Sequence, residues 1–243
     1  MSFTPPSRAS FRQQIEALPD RIEMRDIQSL AFRLDTDGPL AVYYAPMGGA
    51  VNRKARVLLV GLTPGWTQTQ IAFQAYRQVL RDGGSEDEAL AAAKGQASFA
   101  GMRTRLCGWL DRLGVEKWLG IVSTEELFNT QRDLVQTASL IRYPVFVGED
   151  GHNYRGSGRR PIKSALLWSI IDSVFVPLLA ELPDALVVPM GVAVSGALHE
   201  LGVDPARCLY GCPHPSGANG HGSRQFEQER VQMQRVVDSL QSW

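Results

Sequence analysis

Residues 56–62 read RVLLVGL, a short and continuous apolar run that is rich in β-branched side chains. A strand of a parallel sheet that is buried on both faces has this composition, whereas a strand with one solvent-exposed face alternates apolar and polar residues. The run ends in Thr63-Pro64-Gly65, and these residue types favour a tight turn. We therefore predict a buried strand here, followed by a helix over residues 70–80.

The rest of the chain alternates strands and helices in the same way. Further strands are predicted at residues 134–141, 185–189 and 207–211, and further helices at residues 11–18, 86–94, 102–113, 164–182, 192–201 and 223–240. Strands that alternate with helices form βαβ units, whose helices cover both faces of a parallel sheet. We predict an α/β fold, a three-layer α/β/α sandwich with a central, mostly parallel four-stranded sheet. It forms a single domain over residues 1–243, with residues 1–50 as an N-terminal extension packed on it.

Composition and charge narrow the class of protein. Of the 243 residues, 44% are hydrophobic and 21% are charged, which is typical of a globular protein with a real core. The formal net charge is 0, which excludes a protein that coats nucleic acid through charge alone. Binding to DNA would therefore need a local patch and specific contacts.

The location of the protein is also suggested by its sequence. Three cysteines, an odd and low number, favour a reducing compartment. No secretory signal is visible at the N-terminus, and no apolar stretch approaches the roughly 20 residues of a membrane helix. We expect a cytoplasmic protein without a membrane partner.

The loops that follow the strands are the expected place for a ligand. In open parallel sheets, ligands bind beyond the carboxyl ends of the strands. Residues 63–65, 139–142, 191 and 212–219 should therefore converge.

Three segments near this edge carry unusual residue combinations. The turn over residues 61–65 lets backbone amides approach a ligand, although an ordinary turn between strand and helix is the alternative. His214 lies between two prolines on a stiff segment, and a structural turn whose histidine faces solvent is the alternative. Phe99 lies among small residues before a helix, either as a stacking platform or as part of the core.

Two other features of the sequence could form binding sites. The loop over residues 155–163 holds four positive charges, Arg159 and Arg160 among them, and could contact a DNA backbone, with a solvated surface loop as the alternative. Cys208 and Cys212 would lie about 13 Å apart on an extended chain, and no CxxC pair exists. No metal and no cofactor are predicted.

Together these segments resemble the uracil-DNA glycosylase superfamily over roughly residues 56–240. Its first motif, Gly-x-Asn/Asp/Ala-Pro-Gly/Tyr, is matched by Gly61-Leu62-Thr63-Pro64-Gly65. Its second motif, His-Pro-Ser-x-x-x, is matched by residues 214–219, which read HPSGAN. Phe99 stands in the place of the family's stacking aromatic residue. The strand with the base-reading residue corresponds to residues 134–144, where that position is Ser139 and the following basic residue is Arg142.

The resemblance implies a DNA glycosylase that acts on a flipped-out base. Thr63 and His214 would be catalytic, the first placing water and the second stabilising the departing base. The residues implied in base binding are Gly61, Leu62, Pro64, Gly65, Phe99 and Ser139. The residues implied in contacts with the DNA backbone are Arg142, Arg159, Arg160, Ser216, Gly217 and Asn219. The expected partner is single- or double-stranded DNA, and the protein is expected to be a monomer.

Three positions depart from the family pattern. Thr63 replaces an acid or amide, Ser139 replaces an asparagine, and residues 217–219 lack the bulky wedge. These changes favour a modified base over plain uracil as the substrate. An enzyme with such a substrate could defend the cell against phage whose DNA carries hypermodified bases. The alternative is the removal of uracil or another deaminated base in DNA repair.

Two further hypotheses belong to other classes. The protein could be a catalytically inactive nucleic-acid-binding member of the same fold. It could also be an unrelated α/β enzyme that holds a nucleotide phosphate at residues 61–65, although no GxGxxG or GxxxxGK[ST] pattern is present.

Overall fold

The computed structural model of the chain describes residues 3–148, 151–156 and 162–240. Its strands are β1 (Arg33–Asp37), β2 (Leu40–Tyr43), β3 (Val57–Gly61), β4 (Val135–Ser139), β5 (Val145–Val147), β6 (His152–Asn153) and β7 (Leu186–Pro189). Its α-helices are α1 (Arg12–Glu16), α2 (Met24–Ile27), α3 (Trp66–Arg81), α4 (Glu86–Ala97), α5 (Arg103–Arg112), α6 (Val115–Leu119), α7 (Ala165–Ile170), α8 (Val176–Ala180), α9 (Val192–Glu200) and α10 (Gly222–Ser239). A π-helical turn, Ile171–Phe175, joins α7 to α8.

The predicted buried strand is β3, the middle strand of a parallel sheet with the order β4-β3-β7. Its alternate residues enter two different apolar clusters. Leu58 and Val60 pack with residues of α3, α4, α7 and α9, whereas Val57 and Leu59 pack with residues of α5, α6 and α10. The mixed α/β fold with helices on both faces of a parallel sheet is therefore confirmed. Among the described residues, no helix has the length and apolar character needed to span a membrane.

The prediction of a fourth strand over residues 207–211 is wrong. Only Cys208 pairs with the sheet, through a single parallel bridge to Val187. A 3-10 turn, Pro205–Arg207, precedes it, and the N–H of Cys212 donates to the carbonyl of Leu209 at 3.1 Å. The backbone turns on itself here instead of running along β7, so the parallel sheet has three strands.

A second sheet was not predicted. It is antiparallel, with the order β1-β2-β5-β6, and its first hairpin turns at Gly38-Pro39. No strand was predicted between residues 141 and 185, so both β5 and β6, which pair with each other, were missed. Within the N-terminal extension, Phe32 meets Phe73 of α3 edge to face, at 5.0 Å between ring centroids. The guanidinium of Arg77 donates to the carbonyls of Leu18 and Pro19, both at 2.6 Å.

Candidate functional site

A cleft of about 990 Å³ opens at the carboxyl ends of β3, β4 and β7. The loops that were expected to converge all contribute to its wall. The predicted site residues that line it are Gly61, Leu62, Thr63, Pro64, Gly65, Phe99, Ser139, Arg142, His214, Ser216, Gly217 and Asn219. Arg159 and Arg160 lie outside the described residues. The cleft therefore brings together every predicted site residue that the structure describes.

Gly61 lies next to two other predicted site residues, Ser139 and Phe99. It ends β3 in register with Ser139, which ends β4. A Cβ atom at Gly61 would lie 3.6 Å from Oγ of Ser139 and 3.7 Å from Cε1 of Phe99. The aromatic ring and the hydroxyl therefore both lie within van der Waals range of the end of the strand.

Phe99 has an unusual backbone. Its φ is +53°, and it is the one non-glycine residue with positive φ among the described residues. This left-handed conformation costs a non-glycine residue about 1–2 kcal/mol. The side chain is 8% exposed and packs with Val57, Leu59 and Leu106. Phe99 is thus part of the core and also part of the cleft wall, and its role as a stacking platform stays a prediction.

Thr63 has already used its hydroxyl hydrogen. Its Oγ1 donates to the carbonyl of Tyr143 at 2.8 Å. The oxygen lone pairs remain able to accept, because a hydroxyl can donate one hydrogen bond and accept two. Thr63 can therefore hold a water molecule by accepting from it, but it cannot act as a base at neutral pH.

The second sheet also contributes to the cleft. Asn153 of β6 accepts from the N–H of Trp66, the first residue of α3, at 2.9 Å. Tyr154 and Arg155, which follow in the chain, line the cleft with Asn153. Asn153 and Tyr154 were not predicted, because a two-residue strand leaves no signal in the sequence, whereas Arg155 begins the basic loop that was predicted as a possible DNA contact.

His214 is held with its Nδ1 as an acceptor. The N–H of Ser216 donates to this nitrogen at 3.3 Å, so the neutral ring carries its hydrogen on Nε2. Although the side chain is open to solvent within the cleft, burial of the ring against the wall lowers the pKa of His214. An imidazole with this surrounding is neutral at pH 7 and offers Nε2–H as a donor.

Gly191 makes room for His214. It follows β7 with φ of +92°, and its N–H donates to the carbonyl of Cys212 at 2.9 Å. A Cβ at this position would lie 3.2 Å from Cβ of His214. The loop that carries His214 can therefore run against the end of β7 only where residue 191 is glycine.

Asn219 braces the same loop. Its amide nitrogen donates to the carbonyl of His214 at 3.1 Å and to Oε1 of Gln225 at 3.0 Å. Arg105 of α5 adds a hydrogen bond to the carbonyl of Ser216 at 2.9 Å. Since both amide hydrogens of Asn219 are used within the protein, it has none left for a phosphate. Asn219 therefore positions His214 in this structure, and its contact with the DNA backbone stays a prediction.

The cysteines and histidines form no metal centre in the described part of the chain. No group of three or more His, Cys, Asp or Glu side chains comes together there. All three cysteines are buried free thiols. Burial raises the pKa of Cys107 to about 11 and that of Cys208 to about 12, so these thiols are protonated at neutral pH.

Comparison with known proteins relates the chain to one from Bacillus subtilis (strain 168). The chain is 32% identical over 236 residues to the uncharacterized protein YoxB, and the match covers 95% of this chain and 91% of YoxB. The chain belongs to the YoxB family. No family model matches the chain, and no solved structure matches it. Because YoxB is uncharacterized, membership of its family assigns no activity to the chain.

The cleft of this YoxB-family protein is more positive than its net charge suggests. The residues of its described wall that carry a charge at neutral pH are Lys94, Arg142, Arg155 and Glu181. Glu181 forms an ion pair with Arg53 at 2.7 Å. Burial, together with the charge of Arg142, lowers the pKa of Lys94 to about 8. Lys94 was not predicted as a site residue, because a single lysine near the end of an amphipathic helix has the same sequence pattern as a solvent-exposed lysine.

Proposed function

We propose that the protein is a cytoplasmic, monomeric DNA N-glycosylase with the fold of the uracil-DNA glycosylase superfamily. The observation that carries this proposal is the convergence of Phe99, Ser139 and a neutral His214 in one cleft. These residues supply an aromatic face, a hydroxyl and a ring N–H donor. They are the groups needed to hold a flat base and to stabilise it as it departs.

The reaction begins with a base outside the stack, because a glycosidic bond inside a duplex is out of reach of the protein. The flipped base stacks on Phe99, and Ser139 and the backbone of residues 61–65 contact its edge. As the C–N bond breaks, negative charge develops on the base and positive charge on the sugar. The Nε2–H of His214 donates to an oxygen of the base and stabilises the negative charge where it develops.

Thr63 positions the water that attacks the sugar. The hydroxyl donates to Tyr143, so it accepts a hydrogen bond from the water and leaves a water lone pair directed at the sugar. As the new C–O bond forms, the proton that the water loses passes to the departed base anion, which leaves as the neutral base. General-base catalysis typically contributes roughly 10²–10⁴-fold, and Thr63 does not supply it. A base that leaves easily is therefore the better substrate, which favours a modified base over uracil.

The DNA backbone is expected to lie across the mouth of the cleft. Arg142, Ser216 and Gly217 line that cleft and would contact the phosphates beside the flipped nucleotide. Arg159 and Arg160 would extend these contacts along the strand. Excision of a modified base would serve defence against phage, and excision of a deaminated base would serve repair.

A glycosylase assay tests the proposal. The substrates are single- and double-stranded oligonucleotides that carry uracil, hypoxanthine, xanthine, oxidised pyrimidines or glucosylated hydroxymethylcytosine. We expect abasic sites on at least one substrate with the wild-type protein and none with His214→Ala. The absence of product on every substrate would contradict the proposal.

An inactive DNA-binding protein of the same fold is the second candidate. It is favoured by the threonine at position 63, where active relatives of the resembled family often carry an acid or amide. Retained DNA binding without abasic sites would support it. A third candidate, an enzyme that binds a nucleotide phosphate at residues 61–65, would be supported by thermal stabilisation with free nucleotides and none with DNA.

A further inference from the structure

A second cavity, of about 650 Å³, opens beside the cleft, and we call it the side pocket. Thr67, Asn153 and Arg155 line both cavities, so the side pocket and the cleft adjoin along these three residues. A chain-like ligand that fills the cleft and continues along the surface in this direction enters the side pocket next.

The side pocket offers an aromatic and apolar surface. Met24 of α2, Trp66 of α3 and Val147 of β5 line it, and each of them is half-buried. Trp66 packs against the larger apolar cluster, which anchors the indole while part of the side chain stays accessible. An anchored indole can stack on a flat ring, and stacking accepts any nucleobase because every base has a π-face.

Asn153 lies between the two cavities. Its Oδ1 accepts from the N–H of Trp66 at 2.9 Å, and its Nδ2 lies 3.5 Å from the Cβ position of Gly65, a residue of the cleft wall. Because the backbone of α3 fixes Oδ1, the orientation of the amide is determined. Its Nδ2 hydrogens are not donated to any of the described residues, so an amide donor remains at the junction.

Arg155 adds a positive charge at the same junction. Its side chain is exposed and lines both cavities. No acidic residue is among the described residues that line the side pocket. A guanidinium binds a phosphate through paired hydrogen bonds, and amide side chains are common donors to phosphate oxygens. The indole, the amide and the guanidinium together match the base and the phosphate of one nucleotide.

We propose that the side pocket binds the nucleotide next to the flipped one on a single DNA strand. Its base stacks on Trp66, and the phosphate that joins the two nucleotides contacts Asn153 and Arg155. A base in the side pocket has left the stack of a duplex, so the site favours single-stranded over double-stranded DNA. That the ligand is DNA rests on the proposed function, but binding in the side pocket requires no bond cleavage.

Binding to designed oligonucleotides tests the side pocket. The probes are fluorescein-labelled heptamers of stable abasic nucleotides that carry one 2′-fluorothymidine, two adjacent ones, or two at opposite ends. The fluorine opposes positive charge on the sugar and so protects the glycosidic bond. Because stacking of one base on an aromatic side chain is worth roughly 10- to 100-fold in affinity, fluorescence anisotropy should show that much tighter binding of the adjacent pair than of the other two probes.

Three variants locate this preference in the side pocket. Trp66→Ala should abolish it, and Trp66→Phe should retain most of it because an aromatic face is kept. Asn153→Asp keeps an oxygen for the N–H of Trp66 but places a negative charge beside the phosphate. It should weaken binding of the adjacent pair by about tenfold or more, since like charges brought together are unfavourable.

Trp168→Ala is the matched control. Trp168 of α7 is half-buried against the same apolar cluster as Trp66, and it lines neither the cleft nor the side pocket. Its replacement removes a tryptophan of similar burial and should leave the preference for the adjacent pair unchanged.

Four results would overturn the side pocket as a nucleotide site. They are equal binding of adjacent and separated thymines, a preference that survives in Trp66→Ala, wild-type binding by Asn153→Asp, and no binding of any probe. The glycosylase proposal is tested by abasic sites instead. A protein that prefers the adjacent pair without cleaving any substrate would retain the side pocket and lose the activity, and one that cleaves without this preference would do the reverse.

Discussion

The backbone N–H of Ser216 donates to Nδ1 of His214 at 3.3 Å and thereby selects the ring tautomer. Pro215, between them, limits the backbone conformations of the segment. The hydrogen on Nε2 is therefore determined by the backbone two residues further on.

His214 should remain neutral to a lower pH than a free histidine. Burial and the Ser216 N–H both oppose a proton on Nδ1, so we expect NMR titration to give a pKa below 6.5 with the hydrogen on Nε2. The unfolded chain then binds more protons than the folded protein below pH 6.5, and this histidine lowers the free energy of unfolding as the pH falls through that value. Above pH 6.5 it contributes nothing. A titration midpoint at or above 6.5 would contradict the effect of burial, and a hydrogen on Nδ1 of the neutral ring would contradict the assigned tautomer.

Replacing Gly191 by alanine should displace the histidine. The backbone conformation at φ +92° is nearly exclusive to glycine, and the new Cβ would approach that of His214 to 3.2 Å. We expect a loss of about 1–3 kcal/mol in the free energy of unfolding, measured in urea, together with loss of activity.

Gly108→Ala is the control for this change. Gly108 lies within α5, with nothing within 4 Å of its Cβ position. There alanine should stabilise the protein by up to about 1 kcal/mol, since it favours a helix more than glycine does. Equal effects at the two positions would show that the contact with His214 is unimportant.

At Phe99, substitution by glycine should destabilise the protein less than substitution by alanine, which is the reverse of the usual order. Removing a buried phenylalanine costs about 3–5 kcal/mol, whichever small residue replaces it. Because the backbone at Phe99 is left-handed, Phe99→Gly should be more stable than Phe99→Ala by about 1 kcal/mol, as judged by urea unfolding. Both variants should lose the stacking face and bind substrate weakly. Greater stability of the alanine variant would mean that the left-handed backbone is not under strain.

Lys94→Met should be more stable than the wild-type protein at neutral pH, because burial of the charged lysine opposes folding. The folded pKa of about 8 lies below the unfolded value, so the unfolded chain binds an extra proton between pH 8 and 10.5. At pH 7 the charged lysine opposes folding by up to about 3 kcal/mol, and this cost disappears as the pH approaches 10.5. Urea unfolding should therefore find the variant more stable than the wild type at pH 7, with a smaller difference at pH 10. A variant that is less stable at pH 7 would show that the lysine supports the fold.

Local patterns were sufficient for much of the α/β framework. The apolar run at residues 56–62 indicated β3, and the 3.6-residue periodicity of residues 102–113 indicated α5. Phe99 and His214 were recognisable because each stands beside residues that restrict or free the backbone. These signals depend on neighbours in the chain, so they can be seen without the fold.

Long-range packing determined the rest. Residues 207–211 have the composition of a strand, but a strand forms only where a partner edge is reached, and the turn at residues 205–212 limits that contact to Cys208. The first strand of the hairpin at residues 33–43 is mostly exposed, so it lacks the alternation of apolar and polar residues by which a strand is recognised in a sequence. It becomes a sheet through β5, about 100 residues further along the chain.

The same distinction applies to the site. Turn chemistry and the order of motifs along the chain were enough to identify the loops at the carboxyl edge of the sheet, because these properties are local. Which side chains face one another in the cleft depended on the packing of distant elements. Packing turned the amide of Asn219 back onto its own loop and placed Lys94 and Arg142 in the wall of one cleft. Charges that are 48 residues apart in the chain interact only after folding removes water and distance between them.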